Sequence, residues 1–412
     1  MYKKIKQQMT AVFSNDGKLD IPLIGIFVVI NIIVLVNAVF HHPKIGYDVS
    51  NHLTYMQTIL DGMPNHDDTP EFFSPPLPYV LPAFFDKACE LVYDDEPHIP
   101  INSGGHIIFS CRKSTGKFAQ SLNVLLSFST LFVILLICEY LRPHNRFYKF
   151  STLFLFSLLT VYYKTFSQAR GEPYVVFFIV LSAYFLLRTL DPKPKKTTFV
   201  FLGISLGLLI LSRQWGFFIF PAIAFSGIWL IIKKQQEALK LIKPLMGSFI
   251  IAAFLGGWFY LYLYIQHGSF TAFNIEENQR MSFDEVVSLT RKTRIKNMDL
   301  FRNPIRPNFY YEPIPVFYSE IWGDYWGYFT FIKEKSYYGD LGLGNSTEVG
   351  PYLGRVNFIS IIPTLILGMG WLFGAYKLFE RKKPFSIEDA GSALFFFIST
   401  SSIIAIPSPK KA

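Results

Sequence analysis

Four side chains of complementary chemistry stand at helical spacing between Gly46 and Pro64: Asp48, Asn51, His52 and Tyr55, at i, i+3, i+4 and i+7. If Tyr47 to Leu60 is a helix, an acid, an amide, an imidazole and a phenol share one face. A carboxylate so placed can take a proton from a hydroxyl nucleophile. It can also simply cap the helix, since Asp is among the favoured N-caps. His52 suits hydrogen bonds that fix the loop better than metal ligation, because no other His or Cys stands at the spacing of a zinc site. Tyr55 serves equally for packing or for contact with a ligand. Gly62 and Pro64 then supply the usual stop signals.

Two further short stretches carry arginine at the ends of apolar runs: Ala169-Arg170-Gly171-Glu172-Pro173 and Ser212-Arg213-Gln214. A guanidinium there can hold a phosphate through its planar fork, or snorkel to lipid headgroups without function. Glu172 is expected to pair with a neighbouring cation. The turn at Arg213 and Gln214 is too short to be a solvated loop and must fold against the bundle. Later, Tyr318 to Tyr328 is dense in aromatic residues and includes Asp324, a second candidate carboxylate. Aromatic faces stack on sugars, although an interfacial belt is their default role. The basic residues from Arg280 to Arg306 suit a phosphate or an anionic acceptor, or a solvated face. Asp67-Asp68 and Asp94-Asp95-Glu96 read as solvated turns or as sites for a divalent cation, the one cofactor left open. No P-loop or dinucleotide glycine pattern is present, so a soluble nucleotide donor is unsupported.

The elements that must position these residues are set by composition. Of 412 residues, 51% are hydrophobic and only 17% charged, too apolar for a chain with a water-facing surface all round. The expected fold is an all-α polytopic membrane protein with about eight or nine transmembrane helices. Its first span is Ile21 to Phe40, too long for a signal-peptide core. The expected organisation is a cytoplasmic segment 1–20, a membrane core 21–266 containing a long outer loop 41–119, an outer loop 267–356, and C-terminal spans 357–412. A net charge of +9 would suggest nucleic acid in a soluble chain; here the basic residues cluster at alternate junctions. These are the N-terminus, Arg142 to Lys149, Arg188 to Lys196, Lys233 to Lys243 and Lys377 to Lys383, which the positive-inside rule assigns to the cytoplasm. Lys410 and Lys411 do not fit, which implies that the chain stops early or that the ninth run does not cross. Cys89 and Cys111 both lie in the first outer loop, where they are free to form a disulfide or to stay reduced; Cys138 lies inside an apolar run.

One span, then an outer Asp opening D-x-x-x-H-x-x-Y and ending at Gly-x-Pro, then Pro-Pro-Leu-x-Tyr at Pro75 to Tyr79, resembles the GT-C superfamily of membrane glycosyltransferases. The likeness is greatest to the branch holding the protein O-mannosyltransferases and the lipid A aminoarabinose transferase, a family 39-like pattern. The Arg170 and Arg213 stretches resemble it too, and the likeness covers about Ile21 to Phe270. The resemblance implies transfer of one sugar from a polyprenyl-phosphate donor to a lipid, glycan or protein acceptor at the outer face. It implies a base at Asp48, with His52, Tyr55, Asn51, Arg170, Glu172, Arg213, Gln214 and Asp324 as substrate-binding candidates and no metal ligand assigned. Many relatives carry an acidic pair where this chain has Tyr47 and Val49 around a single acid. The implied location is a prokaryotic inner membrane with the active face outside, or alternatively the endoplasmic reticulum. The rival class is a transporter or flippase, which would place charge inside the spans and repeat itself internally. This sequence does neither, its distinctive residues lying at run ends and in loops.

Overall fold

The computed structural model describes residues 12–15, 18–44, 49–93, 111–191, 193–224, 236–272, 299–302, 304, 313–322 and 346–379. Strand β1 (Ser14–Asn15) pairs antiparallel with β2 (Lys18–Leu19), and the hairpin leads into α1 (Ile21–Phe40). Asp20 caps α1 by accepting from Leu23 N at 3.2 Å, with Pro22 in the first turn, so an orphan helix donor is satisfied at once. Its 20 residues rise about 30 Å, the thickness of a bilayer's hydrocarbon core. Val28, Val29, Ile32, Leu35, Val36 and Val39 stay exposed on its outer side. Such a face belongs against lipid.

The loop after α1 carries helices of its own among its described residues. It contains α2 (Val49–Thr58) and α3 (Leu77–Tyr93), and α4 (Cys111–Leu141) begins well before its apolar run. Both loop helices pack on α4 through Val49, Leu53, Tyr55, Met56, Tyr79 and Ala119, with Ala169 closing the cluster. A Cβ at Gly116 of α4 would lie 2.6 Å from Pro43 Cβ, so glycine lets α4 touch the chain leaving α1. A disulfide joins Cys89 of α3 to Cys111 at the start of α4, the bonded one of the two states open to this pair. Cys138 is free and buried, as its place in an apolar run suggests.

One half of the bundle packs α1 and α4 against α5 (Arg146–Leu158) and α6 (Thr160–Ser167), around Phe27, Ile30, Leu131, Leu135, Leu153 and Phe166. The other half packs α7 (Glu172–Arg188), α8 (Lys196–Ile210) and α9 (Gln236–His267) around Val175, Leu202, Leu206, Leu209 and Ala252. The α8–α9 crossing is close because its residues are small. Gly203 and Gly207 face Ser248, Ala252 and Gly256, and a Cβ on Gly207 would come within 2.8 Å of Leu255 Cβ. Small residues four apart let two helix backbones approach in a bilayer. Beyond them come α10 (Asp299–Arg302), α11 (Pro313–Trp322), α12 (Ser346–Ile359) and α13 (Ile361–Phe379). Asn357 ties three of these together, donating to Leu300 O and Ser319 Oγ, each at 3.0 Å.

Among the described residues, three helical segments are long and apolar enough to cross a membrane: Ile21–Phe40, Lys113–Leu141 and Ile242–His267. The number rises to five if two bent pairs, α6 with α7 and α12 with α13, each make one span. The chain is therefore a multi-pass, helical membrane protein. Two helical stretches fall short of a straight crossing: α8 has 15 residues, and extended backbone at Leu159 separates α5 from α6. On the side of the hairpin, Lys149 is buried and reaches Glu139 Oε2 at 3.0 Å and Val12 O at 2.8 Å.

Candidate functional site

The site forms where α2, the irregular chain before α3, the α6–α7 turn and the α8 exit meet. Helix α2 supplies His52 and Tyr55 on its buried face. The chain ahead of α3 is held by its ends: Leu77 N donates to Leu211 O at 3.1 Å, and Thr69 Oγ1 donates to Asn51 O at 3.1 Å. That brings Glu71 and Ser74 inward. Helix α4 fixes the α6–α7 turn through side-chain amides. Gln120 Nε2 donates to Ser167 O at 2.7 Å, and Asn123 Nδ2 to Gln168 O at 2.6 Å and Arg170 O at 3.2 Å. Gly171 is required in this turn, because a Cβ there would lie 2.9 Å from Pro78 Cγ.

Arg213 is the hub. Its Nη1 donates to Glu71 Oε2 at 2.9 Å and to Ser74 Oγ at 2.7 Å. Its Nη2 lies 3.0 Å from His52 Nε2 and donates to Glu172 Oε1 at 3.1 Å. Glu172 Oε1 also accepts from Arg170 Nη2 at 2.9 Å. Ser74 Oγ donates to Glu71 Oε2 at 2.6 Å, and Tyr55 Oη donates to Ser74 O at 2.9 Å. Two carboxylates thus face two guanidiniums, and the cluster is balanced in charge. The inner pair, Glu71 and Arg213, is nearly sealed, with side chains 11% and 10% exposed; the outer pair, Arg170 and Glu172, is at 24% and 22%.

The hydrogen bonds fix the state of His52. A guanidinium can only donate, so Nε2 accepts from Arg213, and the proton resides on Nδ1 and is donated to Tyr79 Oη, 2.9 Å away. Burial drives the His52 pKa down to about 3, with Glu71 opposing and Arg213 adding to the fall. Burial by itself would raise the Glu71 carboxyl. A charged His52, then Arg213, then hydrogen bonds from Ser74 and Arg213 outweigh it and bring it to about 2. Because His52 is neutral near pH 7, Arg213 is the charge that keeps Glu71 ionised there. Burial raises the phenols of Tyr55 and Tyr79, so both stay protonated. Glu71 is therefore a bound counter-ion, not a free base.

Of the residues singled out in the sequence, His52, Tyr55, Arg170, Glu172 and Arg213 converge. Asn51 contributes only its carbonyl to this network. Gln214 sits beside it, its Nε2 bridging Phe73 O at 2.9 Å and Thr271 O at 2.6 Å. Asp48 and Asp324 lie outside the described residues. Glu71 and Ser74 join the cluster without being marked by any motif, and Tyr79 enters it from the Pro-Pro-Leu-x-Tyr stretch. The available signal was Glu71 between Pro70 and Phe72-Phe73, an acid in an apolar stretch that needs a cation. Among the described residues several buried polar atoms here find no partner: Arg170 Nε, Arg213 Nε, Glu172 Oε2 and Gln214 Oε1. Among the described residues no group of three or more His, Cys, Asp or Glu side chains is placed to hold a metal ion. Asp68 instead accepts from Asn65 N at 2.8 Å in a turn, while Asp94-Asp95-Glu96 lies outside the described residues.

No family model and no curated protein matches the chain. Among solved structures it is similar to the crystal structure of ArnT from Cupriavidus metallidurans in the apo state, over 93% of this chain and 76% of that one. The TM-score is 0.43 and the identity 8%. A superposition this loose leaves function to be argued from the site's own chemistry.

Proposed function

We propose that this chain is a GT-C-type glycosyltransferase that moves one sugar from a polyprenyl-phosphate donor to a lipid, glycan or protein acceptor. The observation that carries this reading is convergence. His52, Arg170, Glu172 and Arg213 come from three separate motif stretches and meet in one hydrogen-bonded cluster. Packing alone does not require two arginines and two glutamates in a bundle of apolar helices. A lipid-borne phosphate needs fixed cations beside a membrane.

The work falls to few groups. Asp48 takes the proton from the acceptor hydroxyl as its oxygen attacks the anomeric carbon. The bond from that carbon to the phosphate oxygen breaks, and the electron pair leaves with the polyprenyl phosphate. The transition state is oxocarbenium-like. A phosphate monoester leaves readily, so no carboxylic acid is needed to protonate it. The base contributes about 10²- to 10⁴-fold. Eight or nine crossings with basic junctions in the cytoplasm would put residues 41–119 and this cluster on the periplasmic or lumenal side.

The test is mass spectrometry of lipids and glycans from cells lacking the gene and complemented with wild type or Asp48→Asn. One glycoconjugate should be a sugar short in the deletion, restored by wild type, and not restored by Asp48→Asn at equal folded yield. An unchanged set of glycoconjugates in the deletion overturns the proposal, and full rescue by the variant overturns the assignment of the base.

A further inference from the structure

We propose that Arg170 and Arg213 form a phosphate seat whose resident occupant is the Glu172 carboxylate, and that the donor binds by displacing it. This rests on the reading of the donor as a polyprenyl-phosphate sugar. Glu172 Oε1 receives both Arg170 Nη2, at 2.9 Å, and Arg213 Nη2, at 3.1 Å. Two guanidiniums converging on one oxygen is how a phosphate oxygen is held.

The occupant fits the seat incompletely. Among the described residues Arg170 Nε, Arg213 Nε and Glu172 Oε2 are buried without a partner, and a buried polar atom left unbonded is costly. Phosphate oxygens offer the acceptors those two Nε–H groups lack. The positive end of α7 adds to the attraction. Its N-cap is Gly171, which has no side chain to satisfy the first turn, and α7 runs 17 residues.

The seat can exchange its occupant because its two sides are held differently. Arg213 keeps Glu71, Ser74 and His52 as partners when Glu172 leaves. Among the described residues Glu172 is held by the two arginines through Oε1 and by its own backbone N–H, and its side chain is 22% exposed. Charge favours exchange over addition. Two arginines already balance Glu71 and Glu172, so a phosphate simply added would leave the cluster negative. A donor phosphodiester carries one negative charge, equal to that of the carboxylate it replaces.

The test measures binding of farnesyl phosphate, with farnesol as the uncharged control, to protein in phosphatidylcholine nanodiscs. Glu172→Gln, which keeps an acceptor for Arg213, should bind farnesyl phosphate about five-fold or more tighter than wild type. Arg170→Gln should bind it several-fold weaker. In the double variant the gain from Glu172→Gln should vanish, because it requires Arg170; a general field effect would persist. Unchanged or weaker binding by Glu172→Gln overturns the proposal, as does a gain that survives in the double variant or is shared by farnesol. Since the readout is binding, a chain without transferase activity that shows this pattern keeps the seat and loses only the proposed reaction. An active transferase with no gain loses only the seat.

Discussion

Glu71 holds Arg213 and Ser74 at once, and no other described carboxylate bonds to that side of the guanidinium. Removing one partner of a buried ion pair leaves the other uncompensated, at about 3–5 kcal/mol. Glu71→Gln should therefore lower the thermal midpoint of the purified protein by several degrees; a midpoint equal to wild type would show that Arg213 does not depend on it. His52 gives the site a pH dependence of definite sign. Its pKa falls from 6.5 to about 3 on folding, so between those values the unfolded chain binds the extra proton. Stability is fully present above about pH 6.5 and is lost as pH falls, by up to about 1.4 kcal/mol per unit. Glu71, lowered from 4.5 to about 2, adds a loss of the same sign below about pH 4.5. Between pH 6.5 and 5 the imidazole acts alone within this pair. His52→Gln can still accept from Arg213 and donate to Tyr79, and it should flatten the fall in thermal midpoint across that interval. An equal slope in the variant would show that His52 is not the group responsible.

The close crossing of α8 and α9 decides where Arg213 stands. Gly203 and Gly207 let α8 lie against Ser248, Ala252 and Gly256, and Tyr260 Oη donates to Ile210 O at 2.6 Å. The turn at Ser212 to Gln214 leaves from the end of this contact. Gly207→Val would press a branched side chain into Leu255 and Ala252, and overpacking of this kind costs about 1–3 kcal/mol. The variant should lose thermal stability. Gly257→Ala should not, since nothing lies within 4 Å of a Cβ there, and its better helix propensity works in its favour. Equal behaviour of the two in a melting assay would show that the crossing is not tightly packed. Gly203 and Gly207 of α8 stand out in the sequence, but their partners lie in a separate helix, α9.

For the molecule as a whole, the Cys89–Cys111 bond links the loop to the bundle and reports on sidedness. Disulfides persist in oxidising compartments, and this one, with a separation of 22 residues, contributes roughly 3 kcal/mol by restricting the unfolded chain. Protein denatured without reductant should take one PEG-maleimide, on Cys138, and three after reduction. Three labels without reductant would place this loop on the reducing side and contradict the assignment of the basic junctions to the cytoplasm.

Apolar runs, basic junctions, the cap at Asp20 and the stop at Gly62 are local signals, so the membrane class and the first helix are legible from the order of residues. So is the interest of Arg170 and Arg213, because charge at the end of an apolar run requires an explanation, and of His52, which shares a helix face with Tyr55. The partner of Arg213 is not local. Glu71 lies 142 positions away, in a stretch without helical periodicity, and meets it only because α2 and α3 stack on α4 while glycines draw α8 onto α9. Whether a carboxylate is a free base or a buried counter-ion depends on which cation the packing brings within 3 Å, and residue spacing along one chain carries no record of that distance.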